Sequence, residues 1–588
     1  MAVDEEKVPA KTTATTVLVA TGDSNDGIIV SNNSLTNIND TSDDGNDGVY
    51  EVDNADPAEL TLLQSIKRFP RVVGYVFAAC PGILLYGFDM VIVSTLTAMP
   101  EFQRDFGEVL RGKPIIPSAW LGVWTAAPSI GNIAGAAVAG WVCDRFGRRF
   151  SLMLGALISA IGIAICFASA FAAGIDARRG IFLVGKLVEG FAAGQVVCTV
   201  QIYTSEIVTR ALRGSSQALL PVMTMTGQLI GALVVFACLS VKGRDGYLIA
   251  VASQWLFSVI LLFITIFIPE SPPHLIRVGK IDQARKAQRR LHRKEVDTDK
   301  MVDKLVEILE QEREMMKRLG SQVRFIDCFR GIDLRRTIIV LVCHMMPQNF
   351  GLGLLSTASY FAQTVGIPPF LSVLLLEIGI AVGLVANIIS VWTLSVAKRR
   401  PLMLWTLGLT GLFWGAIGIS GCFDSPVTKW ITAAGMIVII FVCGNGIWPV
   451  SVLATAETSS LRLRGRTQAV GWAMHGIYAC IFAVVLPYIY NTDKGNLGAK
   501  TGFVFFGLSV LSCGLIWMLV PEMGGRSPAE LDLLFEHNVP TRDFLKWSAE
   551  KSSRKGPDAV ASAAASAAAV SDDEKNKRSS EHVEIVSG

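Results

Sequence analysis

The chain has 588 residues, of which 51% are hydrophobic and only 18% are charged, and its formal net charge at pH 7 is +3. Soluble proteins usually carry about 25% charged residues. The composition therefore excludes an ordinary soluble protein. The near balance of acids and bases gives no reason to expect a nucleic-acid partner.

Apolar stretches follow a polar, acidic N-terminal segment, residues 1–71, which we predict to be a disordered tail. About 20 apolar residues suffice for a helix to cross roughly 30 Å of hydrocarbon. Twelve such stretches are predicted to be membrane-spanning helices: 72–97, 118–142, 150–173, 180–203, 215–240, 247–268, 336–364, 369–396, 401–422, 431–454, 467–490 and 501–520.

A charged segment, residues 269–335, separates a first group of six spans (72–268) from a second group of six (336–520). Its amphipathic pattern predicts a helical linker. Residues 521–588 are predicted to form a short helix at 528–536 and then a disordered tail. An even number of spans places both termini on one side, and the Lys and Arg residues of the linker predict that this side is cytoplasmic.

Charged residues recur at a fixed offset along the two groups of spans. The pairs at an offset of 251 are Glu206 with Glu457, Arg148 with Arg399, Arg149 with Arg400, and Arg213 with Arg464, and Glu270 recurs as Glu522 at an offset of 252. Several pairs with one offset indicate that the second half repeats the first in the same orientation. Parallel repeats of this kind place a substrate site between the halves, near the middle of the membrane.

The repeated charges lie at predicted cytoplasmic helix ends, where we predict a gate whose Glu–Arg pairs tie the two halves together. The alternative is that the arginines only follow the positive-inside rule. The second copy has Ser395 where the first has Asp144, so unequal locking of the halves is expected. The predicted gate residues are Asp144, Arg145, Arg148, Arg149, Glu206, Arg213, Glu270, Arg399, Arg400, Glu457, Arg464 and Glu522.

Four short motifs resemble signatures of the sugar porter family of the major facilitator superfamily. They are Gly140–Arg149 (G-x-x-x-D-R-x-G-R-R), Gly185–Glu206, Pro269–Pro272 and Pro521–Arg526. Tyr203–Glu206 and Glu457–Arg464 are most similar to the fungal maltose/α-glucoside permease branch. The resemblance implies an all-α membrane protein with the major facilitator fold, in which pseudo-twofold symmetry relates the six-helix halves. It also implies a monomer in contact with membrane lipids, in the plasma membrane or alternatively the vacuolar membrane.

Four ionisable residues fall inside predicted spans, where a charge is costly and points to function. Asp89 and Lys186 lie at similar depths, so an ion pair between them is possible. In the sugar porters that the chain resembles, an acid in the first span couples transport to protons, and its partner is Arg rather than Lys. Glu189 and Glu377 are further candidates for the proton. The alternatives are a static buried pair, or a Lys186 side chain that reaches the membrane surface.

Sugars are bound by amides, which bond hydroxyl groups, and by aromatic rings, which cover the apolar sugar face. The resemblance places Gln348 and Asn349, and also Gln228, at such positions, while Trp448 and His475 stand at or near others. Each of the five has helix packing as its alternative role. Pro221 and Pro347 replace two usual glutamines, which favours a glycoside over a hexose.

We therefore predict proton-coupled import of a sugar, either an α-glucoside such as maltose or a hexose, by alternating access. The proton is the only coupling ion expected, and no other cofactor is predicted. The eleven cysteines show no metal-like spacing, and no nucleophile constellation or phosphate loop occurs, so neither a metal site nor an enzyme is expected. The alternatives are a facilitator or exporter of a non-sugar metabolite, and a sensor that binds sugar without moving it.

Overall fold

The structure is a computed structural model that describes residues 66–545 except 111, 209, 294–296, 320–324, 424, 461–462, 525 and 527. The predicted tails lie almost wholly outside these residues. The first half contains α1 (Pro70–Thr97), α2 (Pro100–Phe106), β1 (Glu108–Leu110), β2 (Lys113–Ile115), α3 (Ser118–Phe146), α4 (Arg148–Ser169), α5 (Ile175–Ile207), α6 (Arg210–Cys238), α7 (Asp245–Ala252) and α8 (Gln254–Phe267).

The segment between the halves is helical. It contains α9 (Pro272–Arg277), α10 (Ile281–Leu291) and α11 (Thr298–Leu319). The second half contains α12 (Gly331–Asn349), α13 (Leu352–Ser356), α14 (Ala358–Thr364), α15 (Pro369–Val396), α16 (Arg399–Ser420), α17 (Thr428–Asn445), α18 (Ile447–Thr458), α19 (Arg464–Tyr490) and α20 (Gly502–Leu519), and α21 (Pro528–Glu536) follows it, with the bounds predicted from the sequence.

Eleven helical stretches in the described part of the chain are long and apolar enough to cross a membrane. They correspond to eleven of the twelve predicted spans. The seventh predicted span is instead broken into α12, α13 and α14. Gly351 breaks it, because its φ of 100° is a conformation that favours glycine, and an added Cβ would lie 2.7 Å from the Trp414 indole.

The two halves pack by the same plan. In the first half α1 packs on α6 and α3 packs on α5, and in the second α12 packs on α19 and α15 packs on α17. Between the halves α3 packs on α19, and α6 packs on α15. Each contact has its counterpart under exchange of the halves, as the pseudo-twofold relation of the predicted fold requires.

The helix bundle has two distinct faces. The linker face carries α9–α11 and α21, and the far face carries α2 and the β1–β2 hairpin. On the linker face α21 is tied to the start of α12, because Asp532 forms an ion pair with Arg336, whose guanidinium lies 4.5 Å from the Phe535 ring centre. The last described helix is therefore packed against the broken seventh span.

Candidate functional site

Three ionisable side chains meet inside the first half. Lys186 in α5 donates to Asp89 Oδ1 in α1 at 2.7 Å, and it also pairs with Glu189 one turn further along α5. The exposed fractions of the three side chains are 1% for Lys186, 7% for Asp89 and 3% for Glu189. The sequence left open whether Asp89 or Glu189 pairs with the lysine, and the structure shows that both do.

A small cavity lies beside this cluster. Its wall includes Asp89, Glu189, Ser159 and Gln254, and it has room, about 10 Å³, for the centre of one water molecule. Glu189 Oε1 and Gln254 Nε2 are both buried and form no hydrogen bond. A water with two to four polar neighbours is the usual occupant of such a site. Gln254 is thus a fourth member of the cluster, which sequence reasoning missed because α8 is apolar around it.

Glu377 does not belong to this cluster. It lies in α15 of the second half, is 7% exposed, and its Oε1 is buried without a hydrogen-bond partner. No described side chain forms an ion pair with it. Three of the four predicted proton-coupling residues therefore form one cluster, and the fourth, Glu377, lies apart from it.

Four of the five predicted substrate residues converge where α12 ends. His475 Nδ1 donates to the carbonyl of His344 at 3.0 Å, one turn before Gln348. Trp448 packs near Phe350, with ring centres 6.5 Å apart. These contacts bring α12, α18 and α19 together around the break in the seventh span. His475 Nε2 is left as an acceptor, because Nδ1 carries the donated proton.

Asn349 is already engaged by its own half. Its Nδ2 donates to Ser512 Oγ at 2.9 Å, and its Oδ1 accepts from the Tyr478 hydroxyl at 2.8 Å. Gln348 Oε1, in contrast, is buried without a partner. The fifth residue, Gln228, lies in α6 of the first half, where its Nε2 contacts the Met90 sulfur at 3.6 Å. Gln348 therefore has free hydrogen-bonding capacity, whereas Asn349 has a packing role in this structure.

On the linker face, both halves hold the same arrangement of charge. Glu270 accepts from the backbone N–H groups of Arg148 and Arg149 at 2.8 and 3.2 Å, at the start of α4. Glu522 accepts from those of Arg399 and Arg400, both at 3.0 Å, at the start of α16. A carboxylate at a helix N-terminus satisfies unpaired N–H groups and the helix dipole. The repeat seen in the sequence is thus a repeated structural unit.

The second acid of each unit binds the guanidinium of its own half. Arg148 pairs with Glu206 at 2.7 Å, and Arg399 lies 3.5 Å from Glu457. Asp144 contributes a longer contact of 3.6 Å to Arg148. Burial and loss of hydration lower the pKa of His274, whose Nδ1 lies 2.8 Å from Arg148, and the positive charge of Arg148 lowers it further.

In this structure the Glu–Arg pairs on the linker face lie within each half, and none of the ion pairs between described residues joins the halves there. The acid and its arginine lie on neighbouring helices of the same half, whose packing brings them together, so the gate between the halves stays a prediction. Arg464 likewise donates to the carbonyl of Ala456 in its own half at 3.0 Å. Arg145 is exposed and has no ion-pair partner among the described residues. The Arg213 side chain lies outside the described residues.

The halves are instead joined at the far face. Asp493, after α19, accepts from the Ser118 backbone N–H at 2.8 Å and from its hydroxyl, at the start of α3. Asn491 Nδ2 donates to the carbonyl of Ile116 at 2.9 Å. Ser94 and Ser359 bond at 2.9 Å across α1 and α14. The far face is therefore closed, and sequence reasoning missed this closure because the partners are hundreds of residues apart.

Comparison with known proteins identifies the family. A family model described as sugar (and other) transporter matches residues 75–535. The chain belongs to this family. The maltose permease MAL31 of Saccharomyces cerevisiae is 27% identical over 91% of this chain and 86% of its own length. The MFS transporter fmqE of Aspergillus fumigatus is 30% identical over 85% of this chain and 93% of its own length.

The Saccharomyces cerevisiae alpha-glucosides permease MPH3 is 28% identical over 90% of this chain and 87% of its own length. Among solved structures, the xylose transporter XylE from E. coli matches 78% of this chain and all of its own, with a TM-score of 0.62 at 18% identity. These findings confirm the major facilitator fold and the sugar-transporter family. The chain is thus a multi-pass membrane transporter, and the prediction that it is not an enzyme is confirmed by its relatives.

Proposed function

We propose that this transporter imports a sugar together with a proton, by alternating access, with the linker face towards the cytoplasm. The Asp89–Lys186–Glu189 cluster carries the proposal. When all three groups are ionised, two carboxylates share one ammonium, and the cluster has one net negative charge in a buried place. Binding one proton makes it neutral, which removes much of the cost of holding it away from water.

Protonation also changes which helices are held together. The Lys186–Asp89 contact joins α5 to α1, whereas the Lys186–Glu189 contact lies within α5. A proton on Asp89 would therefore release α1 from α5, while a proton on Glu189 would strengthen the bond across the two helices. A water in the small cavity between Glu189 and Gln254 offers a route for the proton into the cluster.

We assign the substrate to the space between the halves, with the end of α12 as its main contact. The free Gln348 amide can bond sugar hydroxyl groups, and Trp448 can cover the apolar face of a sugar ring. Because relatives over nearly the whole chain include permeases named for maltose and for alpha-glucosides, an α-glucoside is the proposed substrate class. The closed far face corresponds to the state that exchanges substrate with the cytoplasm.

The test is uptake of labelled maltose, other α-glucosides and glucose in transporter-deficient cells, with and without an inward proton gradient. We expect gradient-dependent uptake of an α-glucoside and loss of this dependence in Asp89→Asn and in Glu189→Gln. Glu377→Gln is the matched control, because it neutralises a buried acid of the other half. Uptake that ignores the gradient in the unmodified chain would overturn proton coupling. Loss of the gradient dependence in Glu377→Gln alone would place the proton-coupling site in the second half.

One observation favours a second candidate, a facilitator or exporter of a non-sugar metabolite. Asn349 is occupied by Ser512 and Tyr478, so one amide of the sugar-binding motif is withdrawn from the substrate. Uptake of none of the sugars, with no sugar binding to the purified protein, would support this candidate. Binding of an α-glucoside without any uptake would instead indicate a sensor. Localisation of the tagged chain at the plasma membrane or the vacuole decides which compartment it serves.

A further inference from the structure

An open groove of about 540 Å³ lies on the outer surface of the second half, between α16 and α20. The lining residues are Arg400, Pro401, Leu404, Trp405, Gly408 and Trp517. The two tryptophans are 74% and 49% exposed, so the groove faces away from the helix bundle. It begins at the first turn of an apolar span, where membrane headgroups meet hydrocarbon, and tryptophan is enriched at this depth.

Two arginines stand at the headgroup end of the groove. Arg400 Nη2 donates to the carbonyl of Trp517 at 2.5 Å, while its Nε is buried without a partner. Arg542 stacks on the Trp517 ring at 4.1 Å from its centre. Neither guanidinium forms an ion pair with a described carboxylate, since Glu522 bonds only the backbone N–H of Arg400. The groove therefore has two uncompensated positive charges above an apolar floor.

The first half shows that the duplication alone does not create this groove. Arg149, the counterpart of Arg400, repeats the carbonyl contact, with Nη2 donating to Ile266 at 3.0 Å, but its Nε is also satisfied, by the carbonyl of Thr265 at 2.7 Å. At the position of Gly408 the first half has Leu157. Gly408 has open space where a side chain would begin. The missing side chain and the unsatisfied nitrogen are thus particular to the second half.

We propose that this groove binds an anionic phospholipid from the linker-face leaflet. Arginine is well suited to phosphate, because its planar guanidinium donates two parallel hydrogen bonds. Arg542, which is exposed, donates to the headgroup phosphate, Arg400 adds its positive charge beside it, and the upper acyl chain lies along Leu404, Trp405 and Gly408. The apolar floor selects a lipid over a soluble phosphate, since a free ion would leave it uncovered. A zwitterionic headgroup gains less, because its own cation opposes the two arginines.

The test uses the full chain, purified in detergent and supplied with phosphatidylserine, phosphatidylinositol or phosphatidylcholine, with retained lipid measured by native mass spectrometry. We expect anionic lipids to be retained at least about fivefold more than phosphatidylcholine, which corresponds to the contribution of one arginine near a membrane surface. Gly408→Leu, which copies the first half and fills the acyl-chain floor, should reduce retention of anionic lipid about fivefold, and Arg542→Gln should reduce the preference for anionic lipid about fivefold. Arg145→Gln, an exposed arginine of the first half, is the control and should leave it unchanged.

Equal retention of anionic lipid by the unmodified chain, Gly408→Leu and Arg542→Gln would overturn the proposal. Displacement of the lipid by millimolar glycerol phosphate or inorganic phosphate would also overturn it, because a headgroup alone would then suffice. Loss of the preference in Arg145→Gln as well would show a general surface-charge effect and contradict a defined site. Melting temperatures of all variants confirm that the compared proteins are folded.

Discussion

The two halves of the molecule differ in the side chains that they bury inside their apolar spans. The first half buries Asp89, Lys186 and Glu189 there, and the duplicated positions in the second half are Val340, Ile437 and Ile440. The second half instead holds a free amide and aromatic rings around the break in its first span. The duplication therefore supplied a common scaffold, on which the proposed proton site lies in the first half and the proposed contacts to the substrate lie mainly in the second.

At the linker face the halves share the same contacts but not the same strength. Glu206 accepts from Arg148 at 2.7 Å and from the Ser271 hydroxyl at 2.5 Å. Among the described residues, Glu457 has the 3.5 Å contact to Arg399 alone, and its Oε2 is buried without a partner. Arg148 is 2% exposed and Arg399 is 18% exposed. The first-half unit is therefore the tighter of the two, as the substitution of Asp144 by Ser395 led us to expect.

The largest expected effect follows from removing the buried cation. Lys186→Met leaves two carboxylates in the first half without a partner, which should cost about 3–5 kcal/mol of folding free energy. Ile437→Met, at the duplicated position, changes only shape and should leave the folded yield near that of the unmodified chain. Folded yield and thermal midpoint measure both. Equal behaviour of the two variants would show that the cluster is not held by its charges.

The linker-face units are compared by Arg148→Gln and Arg399→Gln. We expect a loss of about 3–5 kcal/mol for the first, because a buried ion pair loses one partner. The second should cost about 1.5–3 kcal/mol, the range for hydrogen bonds to a charged group. Denaturant or thermal unfolding of the purified variants gives the order. A larger loss of folding free energy for Arg399→Gln than for Arg148→Gln would show that the second-half unit is the tighter one.

The hydrogen bonds of Asp493 that close the far face are not repeated when the halves are exchanged. Removing them tests this difference between the halves. Asp493→Ala deletes the two hydrogen bonds that this carboxylate accepts at the start of α3. The loss should destabilise the closed far face by about 1.5–3 kcal/mol, which shifts the equilibrium towards far-face opening by about 10- to 150-fold. The duplicated position of Asp493 is Lys242, and that of Ser118 is Pro369 at the start of α15, so Lys242→Ala should have little effect. The opening is measured as the rate at which a thiol reagent labels a cysteine introduced by Ser94→Cys. Unchanged accessibility in Asp493→Ala would remove this contact from the closure.

The smallest effect concerns pH. His274 faces Arg148, Glu206, Glu270 and Asp144, and its pKa is lowered in the folded chain by burial and by Arg148. Below its ordinary value of about 6.5 the unfolded chain takes up a proton that the folded chain resists, so stability falls as the pH drops through this range. The second half has Arg526 at the duplicated position, at the offset of 252.

His274→Gln should therefore reduce the loss of thermal midpoint between neutral pH and about pH 5.5. Carboxylates elsewhere titrate in both proteins, so the difference between variant and parent is the quantity to measure. An identical loss in the two proteins would show that His274 does not contribute.

Most of the spans, the two-part repeat and the residues with charge buried inside spans could be predicted from the sequence alone. These follow from local hydropathy, from a constant offset, and from the rarity of ions in apolar runs, none of which needs the positions of other helices. It also predicted that Lys186 could meet Asp89, because both lie at a similar depth. The break in the seventh span was not predicted, since the effect of Gly351 depends on where the Trp414 ring lies.

Only the tertiary structure decided which charged partners meet. Identical motifs in both copies allow Glu206 to pair within its half or across it, and the packing of α4 on α5 brings Arg148 into reach. Asp493 and Ser118 are 375 residues apart, and no periodicity reports such a contact. Hydrogen bonds and ion pairs depend on distances of a few tenths of an ångström, which packing sets and the order of residues does not reveal.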